Sequence, residues 1–428
     1  MSTYYKILPE DLNCKGFQYH EGLNIDSKKI TPYRCNNGLH FTDATHIMEF
    51  YDYGNMIAEV EIPEDAVVYH FDEKSKADKI ILKNIRPLWS VETIEALIQD
   101  GVEFESYKDD MLCEAANNGH LDVVKYLVEQ GTYIHVRDDE ALCFASENGR
   151  LEIVKYLVEH GADIHARDDY ALCWASCNGH FDVVKYLLEQ GANIHASDDF
   201  ALRSASEFGH FDVVKYLLDQ GADIHVDNDY ALRLASENGH LDVAKHLVEQ
   251  GADIHARDDE ALCWASKYGH IDIVKYLLDQ GADIHAWDDG ALRWASENGY
   301  LDVVKYLVEQ GANIHAQDDY ALRWASEFGH FDVVKCLLEH GANIHALDDY
   351  ALKLASENGR LEIVKYLVEH GADIHARDDY ALRVASDYGH LDVVKYLVEQ
   401  GADIHAQNDY AIRYAGTPEI KAYLKSIK

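Results

Sequence analysis

The chain has 428 residues, of which 47% are hydrophobic, and a formal net charge of −39 at pH 7. This charge repels the phosphates of nucleic acids and of anionic membrane surfaces, so it argues against both as partners and favours basic proteins. The same charge would also keep a long chain in solution, and the composition leaves both roles open. No apolar run reaches the length of a membrane span, and the first residues lack the apolar region of a signal peptide.

Residues 1–86 do not repeat and predict a small α+β domain. Apolar and polar residues alternate between turn residues, which is typical of strands, at 15–22, 56–62, 66–71 and 79–83. Residues 42–51 predict a helix with Thr42 or Asp43 as its N-cap.

Residues 87–108 predict a half-unit that caps the array behind it. The apolar positions from Val91 to Ile98 match the second helix of the later units, and Ser90 is placed as an N-cap. At the other end, residues 409–428 predict a C-terminal cap whose last helix begins at Thr417 and Pro418.

Between the caps, residues 109–408 consist of ten consecutive units of thirty residues. In the unit from Asp319, apolar spacing predicts a first helix over 320–327 with Asp319 as N-cap, and a second helix that begins at Phe331. Gly329, between the two, suits a left-handed C-cap. Neither helix is long enough to be stable alone, so each must cover its apolar stripe against the neighbouring units. The predicted fold class is mostly α, a helical solenoid of about ten units plus caps behind a small α+β domain.

The phrases Ala-Ser-x-x-Gly-His, Leu-Asp-Val-Val-Lys-Tyr-Leu and Gly-Ala-Asp-Ile-His-Ala-x-Asp recur from unit to unit. They resemble the ankyrin repeat, over residues 89–428. The family's unit has about 33 residues, and the alignment places the missing residues in the β-turn finger before the first helix. The resemblance implies a protein-binding array with short fingers and with no chemistry of its own.

The first domain resembles N-terminal modules on ankyrin proteins of giant DNA viruses, and an uncharacterised phage domain. The resemblance rests on Cys14-Lys-Gly-Phe-Gln-Tyr19, Cys35-Asn-Asn-Gly-Leu-His-Phe41 and Ala58-Glu-Val-Glu-Ile62. It implies no known activity, and it makes a host protein the expected partner.

Residues 38–51 are also weakly similar to a segment of the ADP-ribosyltransferases. His40 takes the place of the family's Tyr, and Thr45 takes the place of its Ser. This similarity implies an alternative function, an enzyme in residues 1–86 that the array directs to its target. A deep pocket around His40 would favour this alternative.

Aromatic residues stand directly before the Gly-His pair in every second unit and alternate with Asn: Phe208, Tyr268, Phe328 and Tyr388. In the ankyrin family this position faces the concave groove. Three of the aromatics follow a carboxylate, at Glu207, Glu327 and Asp387. Exposed aromatics are candidate hot spots, and carboxylates beside them would attract a basic segment. The alternation could equally record duplication of a two-unit block.

Five tryptophans of the array divide into two groups. Trp174, Trp264, Trp294 and Trp324 share a position where the family has a buried Leu, so we expect them in the core. Trp287 lies in the shortened finger, where other units have mostly polar residues, and is a further candidate for partner binding.

One histidine of each return loop, from His135 to His405, repeats as a ladder. Ligands of one zinc ion must lie within about 2.1 Å of it, so we expect these histidines to bond the loop backbone and to bind no metal. Their protonation could make the array pH-sensitive.

Cys113, Cys143 and Cys173 repeat at thirty-residue intervals, so stacked units would hold them beyond disulfide distance. Reduced thiols indicate a cytoplasmic or nuclear protein, within a host cell if the viral resemblance holds, and not a secreted one. The sequence therefore predicts a monomeric, non-catalytic scaffold without cofactors that binds a basic protein on its concave face.

Overall fold

The computed structural model describes residues 3–28, 30–32, 37–102 and 104–427. Contacts divide the chain into two compact bodies, Met1–Ala196 and Ser197–Lys428. Cys35, which begins one of the motifs of the first domain, lies outside the described residues.

Seven antiparallel strands form one sheet in the first body, in the order β4-β9-β6-β1-β5-β8-β7, and β2 pairs with β3 as a separate hairpin. The strands are β1 Tyr4–Leu8, β2 Asn13–Cys14, β3 Phe17–Gln18, β4 Gly22–Ile25, β5 Leu39–Asp43, β6 Met56–Glu61, β7 Val68–His70, β8 Ser75–Ala77 and β9 Lys79–Pro87. Leu8, Phe41, Ile80 and Leu82 belong to its buried core. The strand predicted over 56–62 is confirmed as β6.

The helix predicted over 42–51 is wrong in its start and its type. Thr42 belongs to β5, where its hydroxyl donates to the Glu73 carbonyl oxygen at 2.7 Å. A 3₁₀ helix follows only at Ile47–Tyr53. The reason is tertiary, because β1 and β8 pair with β5 on its two sides and hold the backbone extended.

The sheet is joined to the first helices of the same body. The Tyr5 hydroxyl donates to Asp100 at 2.7 Å, and the Trp89 ring stacks on His120 with centroids 5.5 Å apart. Helix α1, Val91–Gln99, begins at the predicted cap, where Ser90 Oγ accepts the Thr93 N–H at 3.2 Å. These contacts attach the sheet to the array.

Each unit supplies two helices. The first helices are α2 Lys108–Asn118, α4 Glu140–Glu147, α6 Ala166–Cys177, α8 Ala196–Glu207, α10 Val226–Glu237, α12 Ala256–Lys267, α14 Ala286–Asn298, α16 Ala316–Phe328, α18 Tyr350–Glu357, α20 Ala376–Asp387 and α22 Ala406–Arg413. The second helices are α3 Leu121–Glu129, α5 Leu151–Glu159, α7 Phe181–Glu189, α9 Phe211–Asp219, α11 Leu241–Glu249, α13 Ile271–Asp279, α15 Leu301–Glu309, α17 Phe331–Glu339, α19 Leu361–Glu369, α21 Leu391–Glu399 and, in the cap, α23 Pro418–Ser426.

Within each body, first helices pack on first helices and second helices on second helices. Val333, Val334 and Leu337 are each at most 1% exposed, as the stripe of α17 predicts. Burying one such side chain stabilises the fold by about 1.5–3 kcal/mol. Among the described residues, no helix is long and apolar enough to cross a membrane.

Asp319 does not cap its helix as predicted. Gln317, Asp318 and Asp319 all have left-handed backbone, with φ of 48°, 55° and 55°. A left-handed residue with a side chain costs about 1–2 kcal/mol, and Asp and Asn tolerate it best. The same three-residue turn recurs at 137–139, 167–169, 197–199, 227–229, 257–259, 287–289, 347–349, 377–379 and 407–409.

The third residue of this turn joins the return loops before and after it. Asp319 is 4% exposed, and its Oδ1 accepts the N–H of Asn343, in the return loop that ends the same unit, at 2.6 Å. His315 Nδ1 lies 3.1 Å from the same oxygen. The loop histidines were expected to bond backbone, and this expectation is wrong because the buried carboxylate lies within their reach. Charge-assisted hydrogen bonds of this kind offset the backbone strain. Further such bonds join Asp229 to Asp253, Asp259 to Asp283, Asp289 to Asn313, Asp349 to Asp373 and Asp379 to Asp403.

We expect Asp319→Ala to destabilise the second body by about 2 kcal/mol, because the N–H of Asn343 loses its charged acceptor. Asp318→Ala is the matched control, since Asp318 lies in the same left-handed turn with an exposed side chain. Urea unfolding measures both variants, and hydrogen exchange at the Asn343 amide locates the damage. Equal losses in the two variants would assign the effect to the backbone turn and not to the bond with Asn343.

The pH sensitivity of the histidine ladder stays a prediction. At its end, the hydrogen bond to Asp409 raises the pKa of His405 above its ordinary value. The folded state therefore favours protonated His405, so this stabilisation is complete below about pH 6.5 and is lost as the pH rises through the folded-state pKa. We expect His405→Gln to reduce the fall in Tm between about pH 5 and pH 8. A Tm that stays flat across this range in the unmodified protein would contradict the prediction.

Candidate functional site

All five aromatic side chains predicted to bind a partner are exposed, and all lie in the second body. The exposed fractions are 52% for Phe208, 40% for Tyr268, 44% for Trp287, 43% for Phe328 and 60% for Tyr388. Glu207 and Glu327 are half-buried beside their aromatic neighbours, and Asp387 is exposed. Burial against the neighbouring units therefore does not explain these aromatic residues.

Asparagine, which occupies the same position in the alternate units, has a structural role there. Asn298 Nδ2 donates to the Trp294 carbonyl oxygen at 2.9 Å, and Asn238 and Asn358 make the equivalent bond at 3.0 Å. The Leu234 and Leu354 carbonyl oxygens also accept the backbone N–H of the same asparagine, so these side-chain bonds add a second donor at the end of the first helix. An aromatic side chain cannot make them, so the aromatic units give up a cap at this position.

The tryptophans predicted to lie in the core are instead half-exposed: Trp174, Trp264, Trp294 and Trp324. In other units the same position holds Leu234 and Leu354, which are 6% and 7% exposed. The larger indole is therefore less completely covered at this position than leucine is. The leucines at this position were the signal in the sequence, because they show that other units place a smaller side chain there.

Aromatic rings join two units into one cluster. The Trp264 ring stacks on Tyr268, with centroids 5.9 Å apart, and on Trp294 at 6.2 Å. Trp287 lies 5.9 Å from Trp294. Tyr268 and Trp287, which were both predicted to bind a partner, thus belong to one cluster. Trp264 and Trp294, which were predicted to lie in the core, connect them.

A second cluster lies in a later unit, where Trp324 contacts Tyr320 at 5.1 Å and Phe328 at 5.7 Å. Phe208 and Tyr388 stand outside both clusters. We call the whole set the first-helix surface, and it consists of Glu207, Phe208, Trp264, Tyr268, Trp287, Trp294, Trp324, Glu327, Phe328, Asp387 and Tyr388.

The orientation of Trp287 is set by its surroundings. Its Nε1–H donates to the Arg257 carbonyl oxygen at 3.1 Å. The unit has Gly290 where most others have Tyr, and a Cβ at Gly290 would lie 2.9 Å from the Cβ of Trp287. The missing side chain therefore permits the close approach of this helix to the turn that carries Trp287.

One lysine of the chain already shows how this surface accommodates a cation. The Lys267 ammonium lies 4.3 Å from the ring centroid of Trp264 and 5.4 Å from that of Tyr268. Attraction between a cation and an aromatic face is strongest for Trp. A lysine or arginine of a partner could make the same contact on the neighbouring rings.

Carboxylates of successive units repel one another along the first helices. The pKa of Glu327 is raised above its ordinary value by burial and by the charges of Glu357 and Glu297, while Lys353 opposes this. The pKa of Tyr388 is also raised, mainly by its hydrogen bond to Glu357. A positively charged partner would relieve this repulsion.

The stacked pairs of helices, the buried stripes and the variable exposed ends define a helical-repeat protein of the protein-interaction class. Residues 90–168, 167–228, 202–288, 232–318, 292–378 and 322–408 match the family of ankyrin repeats (three copies). The chain belongs to the ankyrin-repeat family. Residues 2–94 match a domain of unknown function, DUF7666.

Curated relatives come from Acanthamoeba polyphaga mimivirus. The ankyrin repeat protein R868 is 32% identical over 134 residues, which are 28% of this chain and 64% of the relative. R896 is 35% identical over 133 residues, 28% of this chain and 39% of the relative. R838 is 32% identical over 142 residues, 29% of this chain and 51% of the relative. The chain therefore spans about half the length of the curated relatives it matches.

We expect Glu327→Gln to raise the Tm at neutral pH, because the raised pKa means that ionising Glu327 opposes folding. Most carboxylates have a lowered pKa in the folded state and lose stability in acid, whereas the pKa of Glu327 is raised. The stability lost when Glu327 ionises is therefore regained as the pH falls through its folded-state pKa. The Tm gain should therefore disappear in acid. Glu309→Gln, on second helix α15, is the control, and calorimetry of both variants across the pH range measures the effect. A gain that persists unchanged at low pH would show that charge is not its cause.

Proposed function

We propose that this protein is a non-catalytic scaffold that binds a basic protein on the first-helix surface. Ankyrin repeats are protein-interaction modules, and the family assignment carries that general role. The single observation that supports this location is the exposed aromatic cluster of Trp264, Tyr268, Trp287 and Trp294. Clusters of this kind, rich in Trp and Tyr, dominate binding energy at protein interfaces.

The chemistry of the surface favours a partner segment rich in Lys or Arg. Aromatic faces attract cations, and the carboxylates of Glu207, Glu327 and Asp387 add long-range attraction that speeds encounter. The charge of −39 acts in the same direction. Nucleic acid and anionic membranes would be repelled, and no partner chemistry in this proposal needs a cofactor.

Similarity to mimivirus ankyrin repeat proteins supports a host protein as partner and the interior of a host cell as the place of binding. We further propose that the scaffold acts as a monomer. Its proposed division is an N-terminal domain at 1–86, a capping half-repeat at 87–108, ten repeats at 109–408 and a C-terminal cap at 409–428.

An enzyme in the first domain is the second candidate function. One observation supports it, since His40 lines a cavity of about 560 Å³. Thr45, the other residue of the similarity to ADP-ribosyltransferases, is exposed and does not line that cavity. The two residues are thus not assembled at one site, and the scaffold is the better supported function.

The residues of the alternate units suggest the substitutions that test the first-helix surface. Asparagine already occupies the aromatic position in alternate units, so a quadruple variant with Phe208→Asn, Tyr268→Asn, Phe328→Asn and Tyr388→Asn should fold and gain helix caps. We expect it to lose most partners that the unmodified protein captures from host lysate, as measured by affinity purification with mass spectrometry.

Two controls accompany this experiment. Phe211→Leu changes an exposed aromatic on second helix α9, where most other units have Leu, and should leave capture unchanged. Raising the salt concentration by about 0.2 M should weaken capture, because it screens exposed charges. A partner that the quadruple variant retains at full strength would refute this surface as the binding site.

A further inference from the structure

The cavity in the first domain has the size of a small-molecule site. Its volume is about 560 Å³, and it lies between the β2–β3 hairpin, the start of β5 and the 3₁₀ helix. Pockets that bind small ligands have volumes of about 300–1,000 Å³. This cavity is separate from the first-helix surface, and the scaffold function does not use it.

The charge of the cavity is opposite to that of the chain. Among the described residues, Lys6, Lys15, Lys28 and Lys74 line it together with Asp26. These four positive charges less one negative charge leave three positive charges, with His40 neutral. The carboxylate of Asp26 is already occupied, because it accepts the backbone N–H groups of Lys28 and Gly38, each at 2.9 Å. In a protein of net charge −39, this concentration of lysines points to an anionic ligand.

Lys6 is the unusual member of this group, because it is only 7% exposed. Its ammonium donates to the His40 carbonyl oxygen at 2.7 Å and lies 4.5 Å from the ring centroid of Tyr19. An ammonium has three N–H donors, so one carbonyl leaves capacity for a ligand. Burial lowers the pKa of Lys6 to about 8, which means that the free protein bears a cost for holding this charge.

Aromatic rings supply the rest of the wall. Phe17, Tyr19, Phe41, Phe50 and Tyr53 line the cavity, and Phe17 contacts Tyr19 with centroids 4.6 Å apart. Aromatic side chains stabilise a bound base by stacking on its face. Three positive charges exceed what a single carboxylate would need, and they match a ligand with more than one phosphate charge.

We propose that this cavity binds a nucleoside phosphate, with its phosphates near Lys6 and the rim lysines and its base against the aromatic wall. Binding energy of the phosphates then offsets the cost of burying Lys6. The site lies wholly in the first domain and does not depend on the proposed scaffold function.

The test is calorimetric titration of the full chain with ADP, adenosine and pyrophosphate. ADP should bind more tightly than either fragment, because only ADP uses both the lysines and the rings. ADP affinity should fall as the pH rises through about 8, where free Lys6 loses its proton. ADP should also slow alkylation of Cys14, which lines the cavity, as read by peptide mass spectrometry.

Lys6→Met separates a ligand-binding role from a structural one. We expect it to raise the Tm of the free protein, since a buried charge is removed, yet to weaken ADP binding by about tenfold or more and to abolish its pH dependence. Lys28→Gln, on the exposed rim, should weaken ADP binding without any gain in Tm. Lys83→Gln, outside the cavity, should change neither quantity.

Three results would overturn the proposal. They are no measurable binding of ADP, equal affinities for ADP and pyrophosphate, and full ADP affinity in Lys6→Met.

Discussion

The hydrogen bonds from a buried aspartate to the return loops before and after it are the contacts on which the repeat architecture depends. Asp319, like its equivalents, ends a turn of three left-handed residues, and it accepts a backbone N–H in the return loop that ends its own unit. Its carboxylate also lies within hydrogen-bond distance of His315 in the preceding return loop. These charged hydrogen bonds offset the strain in each turn.

This link leaves other positions free to vary. Within each body, the spacing of successive layers is fixed by the apolar stripes of Val, Ile and Leu and by the buried aspartates. The exposed end of each first helix does not contribute to this spacing. Asn at this end caps the helix, whereas Phe or Tyr leaves the cap unmade and presents a ring. The residues that stabilise the array and the residues proposed to bind a partner are therefore largely separate.

The first domain differs in organisation, since its buried charge lies inside its own sheet. Lys6 sits on β1 between apolar neighbours, where alternation would predict a residue of the core. A lysine at 7% exposure is a poor choice for stability alone. The proposed role of Lys6 in binding a ligand in the adjacent aromatic cavity accounts for a lysine at this position.

Local patterns predicted the helices, the glycine C-caps, the caps at Ser90 and Thr417, the strand at 56–62 and the exposed aromatic positions. They failed wherever a partner distant in sequence decides the outcome. Thr42 is extended because two strands flank it, and Asp319 bonds a distant return loop and not its own helix. Trp264 and Trp294 are partly exposed and join Tyr268 to Trp287.

The sequence by itself determined the repeat, its two helices and the family. Apolar positions that recur every thirty residues can be buried only if each unit stacks on its neighbours. Only the tertiary structure decided which aromatic rings touch, which carboxylates are buried and where four lysines converge. Those outcomes depend on distances between residues far apart in the chain, and no local pattern encodes such distances.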